Sequence, residues 1–312
     1  MLRRAPIVIG PLALAALALW LVLSGKIGEI GDALSEASLA DLGILSLLVL
    51  PLLVVRTEAW RQAIVAAGST VPRRGVYAAG GLSAIVANFS IYLGAPVRIW
   101  ALRRFAPDSA PQTGQMLAAE APLVLLEVTV TVPLAVVSLF VLPISPLLTV
   151  GLILAALAAF GGLFWAREPA QRAQMRWARG LDLLASRGRL AATSLLLATN
   201  VALQVARIWV ALEVLGLDAS LPGAAMAFLL FGFFSMLNLG AASSAGAIVV
   251  VFGSQGVAAA TAVGLLLLAT AVIGSVLFAA IFVSIAALTW SRSTSGGATL
   301  APGGTHLRDD AI

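Results

Sequence analysis

Residues 77–105, YAAGGLSAIVANFSIYLGAPVRIWALRRF, begin like a membrane helix and then gather polar and helix-breaking residues where a spanning helix is still apolar. Asn88 and Ser90 lead into Gly94 and Pro96, and Arg98 follows two residues later. The hydrocarbon core of a bilayer offers no partner to a free backbone group or a charge, so such a stretch persists only against protein or a water-filled cavity. It is either an ordinary membrane helix ending in an aqueous loop or a broken helix that re-enters the membrane.

The composition indicates a polytopic membrane protein. Of 312 residues, 61% are hydrophobic and 11% are charged, with a mean hydropathy of +1.04. Soluble domains are about half apolar and about a quarter charged. With no cysteine and one histidine, His306, the chain has no means to build a thiolate nucleophile, a histidine triad or a Cys/His metal site, and we expect no cofactor. The net charge of +5 lies mostly in short arginine-rich loops, which indicates membrane orientation rather than nucleic-acid binding.

Loop charges decide between the two interpretations of residues 77–105. The loop at 67–75 is basic, and the loop at 167–189 is the most basic of the chain, so both are predicted to be cytoplasmic. The latter carries six arginines: Arg167, Arg172, Arg176, Arg179, Arg187 and Arg189. Two intervening spans, 112–142 and 147–165, make a round trip between these loops. Residues 77–105 must therefore enter and leave on the cytoplasmic side, as a re-entrant helical hairpin with its break at Gly94–Pro96.

The remaining apolar runs complete this topology. A first helix over 6–23 follows Arg3 and Arg4 and is predicted to be retained rather than cleaved as a signal peptide. An amphipathic helix over 26–43 lies at the outer interface, and a second span covers 39–55. Further spans cover 190–215 and 257–288, and the tail at 291–312 is predicted to be disordered. We expect a multi-pass protein of the cell membrane with both termini in the cytoplasm.

The two halves of the chain resemble each other. Pro72 and Asn88 are separated by 16 residues, as are Pro222 and Asn238. Residues 221–256 repeat the sequence of apolar helix, asparagine, small-residue break and second apolar piece, but the loop charges make this hairpin enter from outside. The fold prediction is an all-α polytopic membrane protein with six full spans plus two re-entrant helical hairpins. One domain covers 1–290, with an inverted repeat over about 39–142 and about 190–290, an arrangement that places broken helices at the bilayer midplane around a substrate path.

Basic side chains are the first candidates for substrate contact. Arg98 and Arg207 are the best phosphate ligands on offer, because a guanidinium matches phosphate oxygens in a bidentate manner. Arg56 precedes the first hairpin as Arg207 precedes the second, and it joins them in the predicted substrate-binding set.

Acidic and amide side chains complete that set. Glu120 either pairs with Arg98 in a polar groove that holds a lipid headgroup or lies at the water interface near the start of its helix. Glu127 shares its helical face, and if buried it is expected to be neutral or paired for structural reasons. Asn88 and Asn238 either line the path or satisfy the broken backbone of their own hairpins.

The motif Asn88-FSIYL-Gly94-APV-Arg98, followed by Glu120, resembles the first signature of the lysylphosphatidylglycerol synthase transmembrane (flippase-like) family, approximately N-x-x-x-P-G-R-x-G-E-x-x-R and then E-R-x-x-D. The second signature, approximately P-x-x-P-G-G-x-G-x-x-E, corresponds loosely to LGAASSAGAIVV at 239–250. The order of elements fits over most of 1–290. Ala95 stands in place of an acid, Ala121 in place of an arginine, and the second motif lacks its prolines and glutamate.

The resemblance implies a phospholipid translocase of the flippase or scramblase class, and the two oppositely entering hairpins favour the same function. It would move an anionic or aminoacylated headgroup of a phospholipid or polyprenyl-phosphate-linked lipid through a groove between the hairpins. No ATP-binding loop and no aminoacyl-transferring domain are recognised, so we expect no enzyme activity. The alternative is a non-transporting scaffold or accessory subunit for a glycosyltransferase or lipid-modifying enzyme. A homodimer or a membrane enzyme is the expected protein partner; a small-solute transporter is disfavoured by the scarcity of acidic residues.

Overall fold

A computed structural model describes residues 26–107, 109–141, 176–236 and 242–295, with single positions between 154 and 172. These residues form helices and connecting turns, and no strand occurs among them. The α-helices are α1 Lys26–Ser35, α2 Leu39–Ala66, α3 Arg73–Ala87, α4 Ile91–Phe105, α5 Thr113–Val141, α6 Arg187–Val214, α7 Leu221–Met236, α8 Ala242–Phe252 and α9 Val257–Ser295. Short 3₁₀ segments cover Arg176–Ala185 and Gly253–Gln255. The predicted first helix at 6–23, most of the span at 147–165, Asn238 and the tail from 296 lie outside the described residues.

Among the described residues, three helices are long and apolar enough to cross a membrane. They are α2, α6 and the part of α9 over Val257–Leu288. The first two have 28 residues each, which corresponds to about 42 Å and exceeds the roughly 30 Å of a bilayer's hydrocarbon core. The predicted spans at 190–215 and 257–288 are thus present as helices, and α5 covers nearly the same residues as the helix predicted at 112–142. The chain is a helical membrane protein.

Residues 73–105 form a hairpin of two short antiparallel helices, α3 and α4, called here the first hairpin. Each helix has 15 residues, about 22 Å, which is shorter than the hydrocarbon core. The Ser83 hydroxyl donates to the Gly94 carbonyl at 2.9 Å near the turn, and at the open end Gly75 lies against Ala106. The helical hairpin predicted in this region is therefore present.

The predicted position of its break is wrong. The chain turns at Asn88–Ser90, and Gly94 and Pro96 lie inside α4 near its start. Asparagine and serine side chains compete with the backbone for hydrogen bonds and so favour helix ends. Pro96 is the sixth residue of α4, so it removes one backbone hydrogen bond from the helix, which continues past it to Phe105. Gly94 serves close packing instead, since a Cβ atom there would lie 3.1 Å from Cβ of Ala87.

The second half contains a matching pair of helices, α7 and α8, called here the second hairpin. They have 16 and 11 residues and run antiparallel. Gly223 at the start of α7 lies against Phe252 at the end of α8, and Gly246 lies against Phe234. Both halves thus carry a short helical hairpin where the predicted repeat requires one. The inverted orientation of the two hairpins stays a prediction.

Helix α9 packs against both hairpins. A Cβ atom on Gly81 of α3 would lie 2.7 Å from Cα of Ala279, so α3 and α9 meet backbone to backbone. Gly264 of α9 meets Ala245 of α8 in the same way. Small residues permit such close approach in membrane helices, where van der Waals packing rather than the hydrophobic effect holds helices together. The first hairpin, the second hairpin and α9 are therefore neighbours in one bundle.

Two segments predicted to lie at the membrane surface also pack on the bundle. The amphipathic helix predicted at 26–43 ends at Ser35, because Ser38 caps α2 and forms a capping box with Asp41. Ile30 of α1 is buried against the core that α6 to α9 build. In the arginine-rich region, the 3₁₀ segment buries Leu181 and Leu183, and its Gly180 lies against α5. This region is thus a packed amphipathic segment as well as a source of charge.

Candidate functional site

Polar side chains meet at two places inside this apolar bundle. The first, called here the ion-pair cluster, consists of Arg56, Arg98, Glu120 and Glu127 on α2, α4 and α5. The second, called here the Arg207 cavity, is an internal space that residues of both hairpins, α6 and α9 enclose.

Arg98 and Glu120 form the tighter pair of the ion-pair cluster. Nη1 of Arg98 donates to Oε1 of Glu120 at 2.9 Å, and the exposed fractions of the two side chains are only 16% and 22%. The guanidinium carbon lies 5.0 Å from the centroid of the Trp60 ring, within cation–π range. Nε of Arg98 donates to the Ser83 hydroxyl at 3.3 Å. The predicted pairing of Arg98 with Glu120 is confirmed, and it fastens the first hairpin to α2 and α5.

Arg56 and Glu127 form the looser pair. Nη2 of Arg56 lies 3.7 Å from Oε2 of Glu127, and the Arg56 side chain is 48% exposed. The Asn200 amide of α6 donates to Oε1 of the same carboxylate at 3.5 Å. Because Glu120 and Glu127 are seven residues apart, they share one face of α5, about 10 Å apart along its axis. Two arginines and two glutamates balance, so the ion-pair cluster has no net charge.

Arg207 on α6 is buried more deeply and is paired differently. The residue is 6% exposed. Its Nη2 donates to the carbonyl of Leu267 and to the Thr270 hydroxyl, both on α9. Its Nε is buried without a hydrogen-bond partner, and no carboxylate of the described residues pairs with it. Arg207 therefore brings an uncompensated positive charge into the bundle.

Arg207 lines a cavity of about 130 Å³ at the junction of the two hairpins. This space is large enough to hold water molecules or a small polar group. Apolar side chains of α7, α8 and α9 form much of the wall. The polar lining comes from the first hairpin's turn, from α6 and from the second hairpin: Asn88, Gln204, Arg207, Ser235, Ser243 and Ser244.

Two residues of this lining bear on the sequence predictions. Asn88 lines the cavity, and its amide donates to the Ser275 hydroxyl of α9 at 3.2 Å; its role on a substrate path stays a prediction. Ser243 is fully buried, and its hydroxyl, like Nε of Arg207, has no hydrogen-bond partner among the described residues. Two residues that line one cavity, on α6 and α8, thus each carry an unpartnered buried donor.

The predicted site residues fall into two groups rather than one groove. Arg56, Arg98 and Glu120 meet in the ion-pair cluster, whereas Arg207 and Asn88 meet in the cavity; Asn238 lies outside the described residues. The two groups are close neighbours, because Ser83 and Asn88 are five residues apart on the first hairpin, about 7.5 Å along the axis of α3.

Sequence reasoning predicted Arg207 but left several other contributors out of these sites. Asn200 and Gln204 lie seven and three residues before Arg207, which places them on the same side of α6 and was visible as a polar stripe in an apolar helix. Ser83 and Ser243 gave no such signal, because each is one small residue among many that fit ordinary helix packing.

A third polar group lies at the end of α2, outside both sites. Glu58 accepts from Arg61 at 2.6 Å and from the Tyr77 hydroxyl at 3.2 Å, and Arg73 lies 3.6 Å away. The Tyr77 ring packs on Phe282 of α9, with their centroids 4.8 Å apart. This group joins α2, α3 and α9 at the open end of the first hairpin, and its role is structural.

A scan against protein-family models and a search of curated proteins find no match to this chain. The resemblance to the lysylphosphatidylglycerol synthase transmembrane family therefore stays a prediction. It depends on Asn88, Gly94, Arg98 and Glu120, and three of these four side chains belong to the sites described above.

Proposed function

We propose that this chain is a lipid translocase of the cell membrane, which carries a phospholipid headgroup between leaflets through the junction of the two hairpins. The observation that carries the proposal is the Arg207 cavity: a buried guanidinium, with an unpartnered Nε and no carboxylate partner among the described residues, lines a pocket to which both hairpins contribute. A headgroup phosphate crossing a bilayer needs such donors, because lipid tails offer none.

The helix lengths support this reading. Helices α3, α4, α7 and α8 have 15, 15, 16 and 11 residues, so each is shorter than a full crossing. We therefore propose six full spans plus two re-entrant hairpins that enter from opposite faces, with both termini cytoplasmic. Broken helices of this kind bring polar turns to the bilayer midplane, where transporters bind their substrates.

In this proposal the two polar sites have different tasks. The headgroup phosphate accepts hydrogen bonds in the Arg207 cavity, while the acyl chains stay in the surrounding lipid. The ion-pair cluster holds the first hairpin against α2 and α5. Because its net charge is zero, we assign it a structural role rather than that of a second anion site. Transport would run down a lipid gradient.

A membrane scaffold for a lipid-modifying enzyme is the alternative. It would need hairpins that pack against each other through a closed apolar interface. The polar lining of the cavity, with three serines, Asn88 and Gln204 beside a buried arginine, weighs against a purely structural junction. Two of these groups, the Ser243 hydroxyl and Nε of Arg207, have no partner among the described residues, and a buried polar group is costly unless it is hydrogen-bonded.

Reconstitution into liposomes tests the proposal. The full chain is inserted, and movement of fluorescent phospholipids between leaflets is followed by accessibility to a quencher. We expect a rate well above that of empty liposomes and a loss of roughly tenfold or more in Arg207→Gln, equivalent to about 1.4 kcal/mol or more. Arg172→Gln is the matched control, because its side chain is 80% exposed and, among the described residues, pairs with neighbouring Glu168 alone. Rates equal to empty liposomes for every phospholipid would contradict the proposal.

A further inference from the structure

The charge balance of the Arg207 cavity is incomplete. None of the described lining residues is acidic, and the guanidinium meets only neutral oxygens, those of Leu267 and Thr270. An unpaired buried charge is expensive, whereas one paired with an opposite charge and fully hydrogen-bonded is tolerated. The cavity therefore lacks one negative charge.

Two residues that line the cavity also carry an unpartnered donor. They are Arg207 on α6 and Ser243 on α8, whose Nε and hydroxyl are buried and have no hydrogen-bond partner among the described residues. An oxyanion with several acceptor atoms satisfies donors on two helices at once, and arginine suits phosphate best because its donors are planar and fixed.

We infer that the Arg207 cavity binds the phosphate of an acidic lipid whose headgroup has no ammonium group, and that it disfavours aminoacylated and zwitterionic headgroups. The inference rests on the proposed function and names its substrate class. The phosphate belongs either to a glycerophospholipid diester or to a polyprenyl phosphate, since both offer the same oxyanion.

The exclusion of ammonium follows from charge. An ammonium group would meet the positive charge of Arg207 in a medium of low dielectric constant, and no carboxylate of the described lining compensates for it. An aminoacylated headgroup carries the same positive charge and is disfavoured for the same reason. Neutral hydroxyl groups, in contrast, can bond to Gln204 and to the serines.

Binding to the purified full chain tests the inference. The thermal midpoint is measured in detergent with phosphatidylglycerol, polyprenyl phosphate, lysylphosphatidylglycerol or phosphatidylethanolamine added at equal concentration. A ligand that binds only the folded chain raises the midpoint according to its concentration and affinity. We expect a rise with phosphatidylglycerol, polyprenyl phosphate or both, and little or none with the two ammonium lipids. Which acidic lipid acts identifies the source of the phosphate.

Variants attribute the binding to the cavity. Arg207→Gln should weaken the affinity for the acidic lipid by roughly tenfold or more, and Ser243→Ala by a smaller factor. Ser243→Ala removes one oxygen without changing charge, so it reports on the cavity even if Arg207→Gln folds poorly. Arg172→Gln should bind as the unaltered chain does. Equal stabilisation by ammonium and acidic lipids, or acidic-lipid binding unchanged in both cavity variants, would overturn the inference.

The outcome is separable from that of the proposed function. If acidic lipids bind through Arg207 but no lipid moves between leaflets, translocation is wrong and the binding site stands. If all phospholipids move at one rate and ammonium lipids bind equally well, translocation stands and the selectivity is wrong.

Discussion

Arg98 and Arg207 are the same residue type in the same bundle, yet their surroundings differ. Arg98 lies between a carboxylate, an aromatic face and a serine hydroxyl, all within 5.0 Å. Arg207 meets one backbone carbonyl and one threonine, and part of its guanidinium has no partner. A ligand gains little at the first arginine, because it must displace Glu120. At the second arginine it supplies the missing charge. The groups that surround each arginine, rather than its residue type or burial, distinguish a structural ion pair from a binding site.

The largest expected effect is on stability, which should respond in opposite directions when Arg98 and Arg207 are neutralised. Arg98→Gln leaves Glu120 without its partner, so the free energy of unfolding should fall by about 2–4 kcal/mol, somewhat less than for a fully buried pair. Arg207→Gln removes an unbalanced charge, so stability should stay level or rise while lipid binding is lost. Thermal midpoints of both purified variants without added lipid check this. A strong destabilisation by Arg207→Gln with transport intact would make Arg207 a structural tie between α6 and α9.

A double substitution sharpens the meaning of the Arg98–Glu120 pair. Glu120→Gln alone should destabilise about as much as Arg98→Gln, because each leaves one charge behind. The double variant should recover roughly 1–2 kcal/mol of the summed loss, as coupled neighbours do. The comparison uses thermal unfolding of four proteins: the unaltered chain, the two single variants and the double variant. Strictly additive losses would mean that the two side chains act independently.

The smallest expected effect is at Arg56. Its pair with Glu127 is longer, at 3.7 Å, and its side chain is 48% exposed, so Arg56→Gln should cost no more than about 1 kcal/mol. The same assay should show this variant close to the unaltered chain, with translocation retained. A transport loss as large as that of Arg207→Gln would return Arg56 to the substrate path.

The sequence was sufficient to predict the helical hairpins and the Arg98–Glu120 ion pair. It did not predict that the polar residues would form two separate sites. Loop charges and the polar run from Asn88 to Arg98 were enough to expect a helical hairpin. The scarcity of acidic residues in the membrane left Glu120 as the natural partner of Arg98. The predicted position of the turn was wrong because Gly94 and Pro96 are residues that often break helices, whereas α4 contains both and the chain turns before them, at Asn88–Ser90.

The separation of Arg98 from Arg207 could not be foreseen in the same way. Which side of α6 faces the junction of the hairpins depends on how α6 packs against α5 and α9. Asn200 and Gln204 lie on the same side of α6, yet one contacts Glu127 and the other lines the cavity. The free hydroxyl of Ser243 is a property of the assembled bundle, since the same residue in another packing would bond to a carbonyl.

Helix α9 sets a mechanical condition on any motion of this bundle. Ala279 of α9 lies against Gly81 of α3, and Gly264 of α9 lies against Ala245 of α8. Because glycine has no side chain, no flexible group separates the two backbones at either contact. Closely packed interfaces shift between discrete arrangements and do not deform smoothly. Opening the cavity must therefore either carry α9 along with a hairpin or separate one of these backbone contacts, so the two hairpins move independently only when such a contact is broken.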